Sequence, residues 1–259
     1  MKLKVRILGS GSSGNSTFLQ SGRTRILIDA GFGARGLERR LLQAGIAPPS
    51  LAGVIVTHEH SDHIRGLRLF SKKYRMNLYS SEKSFEDSGI IEDDLSSFHC
   101  IEAGIPFEIG EIKIHPFSLP HDAESTFGFI IKANRLKLSY ATDFGYPSKL
   151  VVERMKDSDG IILEANHDTE MLLNGPYPWF LKERLIGRLG HLSNESMAEL
   201  VEQIVDADTR FLMLAHLSEV NNSPGQAVQM ARKAAHRRGA KNLRIMASYQ
   251  DQLSEMIEL

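Results

Sequence analysis

The stretch His58-Glu59-His60-Ser61-Asp62-His63 puts three histidines and two acids into six residues. Neither a strand nor a helix can gather that run on one face. The apolar strand Val54–Val56 runs straight into it and ends at Thr57. The cluster therefore occupies a loop at a strand's C-terminal end and the start of a helix, where α/β proteins place reactive groups. His58 and His60 alternate and can point the same way, while Asp62 and His63 turn toward a second point. That spacing suits two adjacent cations, one for each pair. With ten histidines in 259 residues, three so close together are not an accident of composition. Imidazole mixed with carboxylate favours Zn, Mn or Fe over Ca or Mg. Two such cations about 3.5–4 Å apart hold a shared water, lower its pKa toward neutrality and absorb charge on substrate oxygens. The chemistry expected is hydrolysis at phosphorus or at a carbonyl.

At these residues the chain resembles the metallo-β-lactamase superfamily, whose signature HxHxDH is matched in full. The resemblance runs over essentially the whole chain. It implies an α/β fold of four layers, αββα, with two mixed β-sheets inside and helices on the outer faces. It also implies three further ligands, each at the end of a later strand. His121 follows EIKIHPFSLP, Asp143 closes LKLSYATD and His216 ends RFLMLAH. The resemblance assigns His58, His60, His121 and Asp143 to one cation, and Asp62, His63, Asp143 and His216 to the other. Asp143 then bridges, since one carboxylate shared by two cations lowers their repulsion. Asp62 is also expected to orient the attacking hydroxide. The cofactors implied are two divalent transition metals, Zn or Mn, with Fe also compatible.

The second half carries two more histidines of interest. His167 lies in EANHD, directly after the strand GIIL, and His191 lies in GHLSN, just before a helix. A helix N-terminus with a histidine and small polar residues, Ser193 and Asn194, suits an anion. Between them runs Tyr177-Pro178-Trp179-Phe180-Leu181-Lys182-Glu183-Arg184, with Arg188 beyond. Cations beside aromatics suit a phosphate backbone and a stacked base, which marks Lys182, Arg184 and Asn194 as substrate contacts. The stretches EANHD, GPYPWFLKER, GHLSN and AHLSEVNNSP are similar to the YycJ (WalJ) family, near the RNase Z-like branch. That resemblance implies 5′→3′ exonuclease action on DNA and a place in mismatch repair, with His167 or His191 contacting the scissile phosphate or protonating the leaving oxygen. EANHD departs from the RNase Z pattern His-Glu-Ala-Thr, which weakens the transfer to His167. The long insertion of RNase J-type nucleases and the tRNA-binding arm of RNase Z are absent.

Two other functions use the same ligands. A small-molecule hydrolase, such as a cyclic phosphodiesterase, thioesterase or lactonase, has less need of His167, His191 and the neighbouring cations. A flavodiiron-type redox module usually replaces a signature histidine with an acid and carries a flavin domain, and neither feature is seen here.

The elements that must position these groups read as one continuous domain, residues 1–259. Strands are expected at KVRIL, TRILIDAG, Val54–Val56, NLYS, EIKIHPFSL, FGFIIKA, RLKLSYATD, GIILEA, RFLMLAH and NLRIM. The Gly/Ser-rich GSGSSGNST reads as a loop. Helices are expected over 33–45, 63–73, 147–156, 178–189, 194–206 and 224–238, with Ser193 as an N-cap. Apolar residues make up 42% and charged residues 24% of the chain, which suits a globular protein with a sizeable core. The net charge of −1 gives no global basic field. The lone cysteine, Cys100, excludes an internal disulfide and reads as a buried thiol. His99, His115 and His236 read as structural. No apolar run suggests a signal peptide or a membrane span, so a cytoplasmic protein is expected.

Overall fold

The structure, a computed structural model, describes residues 2–259. The first sheet begins as a meander of β1 (Leu3–Gly9), β2 (Ser16–Ser21) and β3 (Thr24–Ile28). It continues in parallel through β4 (Gly53–Ile55), β5 (Asn77–Ser80) and β6 (Ser97–Cys100). The second sheet repeats the plan. β7 (Phe107–Ile109), β8 (Ile112–Ser118), β9 (Phe127–Ala133) and β10 (Leu136–Ala141) are antiparallel; β11 (Gly160–Glu164), β12 (Phe211–Ala215) and β13 (Arg244–Ala247) then add in parallel. A short β14 (Ile257–Glu258) returns to pair with β1.

Side chains alternating along the strands build four layers. Leu3, Val5, Ile7, Ile26, Ile28 and Ile55 from one sheet meet Ile114, Phe129, Ile131, Leu138, Ile162 and Met213 from the other. The opposite faces are also apolar. Leu8, Leu27, Val54 and Val56 pack under α1 (Ala34–Gln43) and α3 (Leu67–Tyr74), separated by the short α2 (Ser61–Ile64) and followed by α4 (Glu82–Asp87). Ile161, Leu163, Leu212 and Leu214 pack under α5 (Lys149–Met155), α8 (Asn194–Ile204) and α9 (Pro224–Arg237). Between them, α6 (Thr169–Asn174) and α7 (Trp179–Ile186) cross the edge where the two sheets' parallel strands end.

Some expectations change. The expected loop GSGSSGNST ends early, because Ser16 and Thr17 already belong to β2. The expected helix 63–73 is two helices. At Gly66 a side chain would lie 2.0 Å from the Phe32 carbonyl oxygen, and this close approach breaks the run. Cys100 is exposed rather than buried, since β6 is the sheet's edge strand and its last two residues face solvent. No helix among the described residues is long and apolar enough to cross a membrane.

Candidate active site

The parallel halves of both sheets end at one edge, where ligands bind in open α/β sheets. Asp29 follows β3, His58 follows β4, Asp143 follows β10, and His216 follows β12. Asp29, Asp143 and His216 all hold positive φ, 65°, 64° and 55°. Asp and His tolerate the left-handed region better than most residues. Strain of this kind clusters at functional positions.

The ligand atoms of His58, His60 and His121 lie within 4.8 Å of one another, as do those of Asp62, His63 and His216. Asp143 stands between the triplets, within the same limit of His58 and His63 and also of His216. Each buried histidine is held by one nitrogen so that the other faces inward. His58 Nδ1 meets Thr57 Oγ1 at 3.0 Å, His63 Nδ1 meets Asp29 Oδ2 at 2.8 Å, His121 Nδ1 meets the Gly190 carbonyl at 3.1 Å, and His216 Nδ1 meets Glu164 Oε1 at 2.9 Å. Outer partners of this kind fix ring orientation and tautomer around metals. Three inward atoms, His58 Nε2, His216 Nε2 and Asp143 Oδ2, are buried with no hydrogen-bond partner. Buried polar atoms are rarely left so. A set of imidazole nitrogens and carboxylate oxygens with orphaned atoms at its centre fits divalent cations.

Charge balance points the same way. Burial disfavours charge on His63, but Asp29 and Asp143 outweigh it and raise its pKa well above the ordinary value. Burial likewise opposes charge on His216, yet Asp143, Asp62 and Glu164 push its pKa up to about 10. Burial works against the Glu164 carboxylate too, and His191 and His216 hold it ionised. His58, by contrast, is lowered well below its ordinary value by burial and by His63 and His121. Protons on His63 and His216 thus balance the surrounding carboxylates, where cations can take their place.

Three positioning residues have no assigned role in the sequence reading. Asp29 looks there like a strand stop, yet it is fully buried and also accepts from Thr57 N–H at 2.8 Å. Glu164 looks like part of a motif. It is also fully buried, and it accepts from His191 Nδ1 at 2.7 Å and from the Phe144 and Leu192 amides. Asn15, in the Gly/Ser loop, donates from Nδ2 to Asp62 Oδ2 at 3.1 Å. The signal available was the strand-end carboxylate in each of the first two cases.

His191 is half-buried and lines a cavity of about 250 Å³ with His60, Asp62, Asp143, His216 and Arg184. Arg184 Nε donates to Asp122 Oδ2 at 2.6 Å, beside the first histidine triplet. Three expectations are corrected. His167 is 2% exposed and stands behind the cavity wall, where Asn166 lines the surface in its place. Lys182 is buried because its face of α7 packs on α6, and Nζ donates to the Leu173 carbonyl at 2.7 Å. Asn194 is buried because it is the first residue of α8. Its side chain pairs reciprocally with Asn222, at 2.8 and 3.0 Å.

Two mixed seven-stranded sheets between helices, with this cluster at their shared edge, define the class. Residues 24–217 match the Beta-lactamase superfamily domain, and the same fold is seen in YhfI of Bacillus subtilis, a metallo-beta-lactamase fold protein. That structure gives a TM-score of 0.76 at 16% identity, over 100% of both chains. The exodeoxyribonuclease WalJ of Streptococcus pneumoniae is 38% identical over 223 residues, 85% of this chain and 83% of WalJ. The exodeoxyribonuclease YycJ of Bacillus anthracis is 34% identical over 226 residues, 86% of this chain and 85% of YycJ. The chain belongs to the WalJ/YycJ family of the beta-lactamase superfamily.

Proposed function

We propose that the protein is a metal-dependent exodeoxyribonuclease that shortens DNA from its 5′ end. The observation that carries the reading is the trio of orphaned atoms, His58 Nε2, His216 Nε2 and Asp143 Oδ2, inside a ring of anchored donors. His58, His60, His121 and Asp143 hold one divalent cation; Asp62, His63, His216 and the shared Asp143 hold the second. The nitrogen-rich donor set suits Zn or Mn, with Fe as a third fit. Bound there, the cations activate a water and stabilise charge on the phosphate oxygens.

The chain's own residues do the rest. Asp62, tied by Asn15, presents a carboxylate at the cavity and orients the attacking water. His191 gives Nδ1 to Glu164 and so turns Nε2 toward the cavity, where it delivers a proton to the leaving oxygen. Arg184 places a cation at the wall for the strand's phosphate, its pairing with Asp122 keeping it in place. The absence of a membrane-crossing helix among the described residues suits an enzyme meeting DNA in the cytoplasm.

The test uses linear DNA labelled at the 5′ or the 3′ end, incubated with Mn, Zn or a chelator. Metal-dependent release of the 5′ label as short products is expected. Hydrolysis of bis-p-nitrophenyl phosphate or a thioester with DNA left intact would replace this reading with a small-molecule one. His191→Ala should lower kcat roughly 10²- to 10⁴-fold with both metals retained, and equal loss of metal would show that it is misplaced.

A further inference from the structure

Two cavities flank the cluster, and their walls differ in charge. The larger, about 580 Å³, adjoins His121 and is bordered by Glu82, Glu102 and Glu124, with Lys83 as its one basic side chain. Carboxylates there repel a polyanion. The smaller carries Arg184 and is walled on that side by α7 and the turn before it, through Tyr177, Leu181 and Leu185. A DNA strand is thus directed across α7.

That helix is rigidly seated. Lys182 ties its inner face to α6, and the His191 amide donates to the Leu185 carbonyl at 2.9 Å. The platform is therefore registered against the histidine at the cavity. Phe180 stands four residues before Arg184, which places ring and guanidinium on one side of the helix. It is 72% exposed, and Trp179 beside it is 61% exposed. Large aromatics this open, continuous with a reactive cavity, mark an interaction surface.

Building on the nuclease reading, we propose that Tyr177 and Phe180 form a stacking platform for unpaired bases of the strand whose phosphate Arg184 meets, so that the enzyme takes single-stranded DNA ends. Aromatic rings accept any base by its face, and a base still in a duplex has both faces covered. The near-neutral chain makes this contact weigh more, since it offers few cations to bind backbone alone.

The experiment measures binding of the metal-loaded protein to phosphorothioate oligodeoxynucleotides, which resist cleavage, by fluorescence anisotropy. Phe180→Ala should weaken single-strand binding roughly 5- to 150-fold and raise KM similarly with kcat within about twofold, while Phe180→Trp restores both. Abasic sites near the 5′ end should weaken the wild type as much as Phe180→Ala does, and the two changes should not add. Unchanged single-strand affinity, or equal losses for single strands and blunt duplexes, overturns the platform. So does a dimer that Phe180→Ala dissociates, which assigns the patch to a second copy of the chain. DNA degradation that Phe180→Ala leaves untouched sinks this inference alone. No metal-dependent DNA degradation by the wild type sinks the nuclease reading beneath it.

Discussion

At the scale of single residues, the site depends on groups that never reach the cavity. Asp29 is the clearest. It is fully buried, and it holds His63 by Nδ1 while also accepting from Thr57. Asparagine at 29 keeps the shape but removes the charge that balances His63. Losing an outer partner of this kind typically costs about 10- to 100-fold in metal affinity. Asp29→Asn should therefore lower the affinity of the second cation by that factor, read by competition with a chelator, with the first cation little changed. Equal weakening of both would mean that Asp29 supports the fold rather than His63. Residues of this kind were hard to see in the sequence. His58, His60, Asp62, His63, His121, Asp143 and His216 stand out by type at strand ends, and the structure gathers them. Asp29 and Glu164 stand at strand ends too, but an acid there is also an ordinary stop signal. Lys182 and Asn194 fail for a different reason. A run of polar and aromatic residues on a helix does not reveal which face packs inward.

Elements set where these residues go, and α8 shows how. His191 stands just before its start, and Ser193 caps it, Oγ accepting from Ser196 N–H at 3.2 Å. The Asn194 amide also donates to the His167 carbonyl at 2.8 Å, tying the helix start to the loop after β11. Ser193→Ala removes the cap alone and should cost about 1 kcal/mol of stability, measured by denaturant unfolding. Turnover should fall far less than with His191→Ala, because Glu164 still orients the ring. No change in stability would show that the cap contributes nothing here. This helix was legible because cap and apolar period agree. β2 was not, since Ser16 and Thr17 continue a Gly/Ser run and only Phe18 and Leu19 are strongly apolar. The break at Gly66 was hidden because its cause, the Phe32 carbonyl, is far away in sequence. Register and close approach are tertiary facts, and local periodicity does not contain them.

The whole molecule couples folding, protons and cations at one edge of two sheets. Both sheets converge there, so the charges gathered between them must be balanced for the layers to meet. Without cations, His216 does part of this. Burial disfavours its charge, but Asp143, Asp62 and Glu164 raise its pKa from 6.5 to about 10. A raised pKa means that the folded state binds the proton more tightly than the unfolded chain. The resulting stability is complete below pH 6.5 and is lost as pH climbs toward about 10. The chelated protein should accordingly melt at progressively lower temperature across that window. A protein loaded with Zn or Mn should show a flatter profile, because a cation has displaced the proton and its charge does not titrate there. Loading near neutral pH should release protons, seen as a calorimetric enthalpy that changes with the buffer's ionisation enthalpy. If loading releases none, His63 and His216 are already neutral in the metal-free protein, and the carboxylates between the sheets must be balanced some other way.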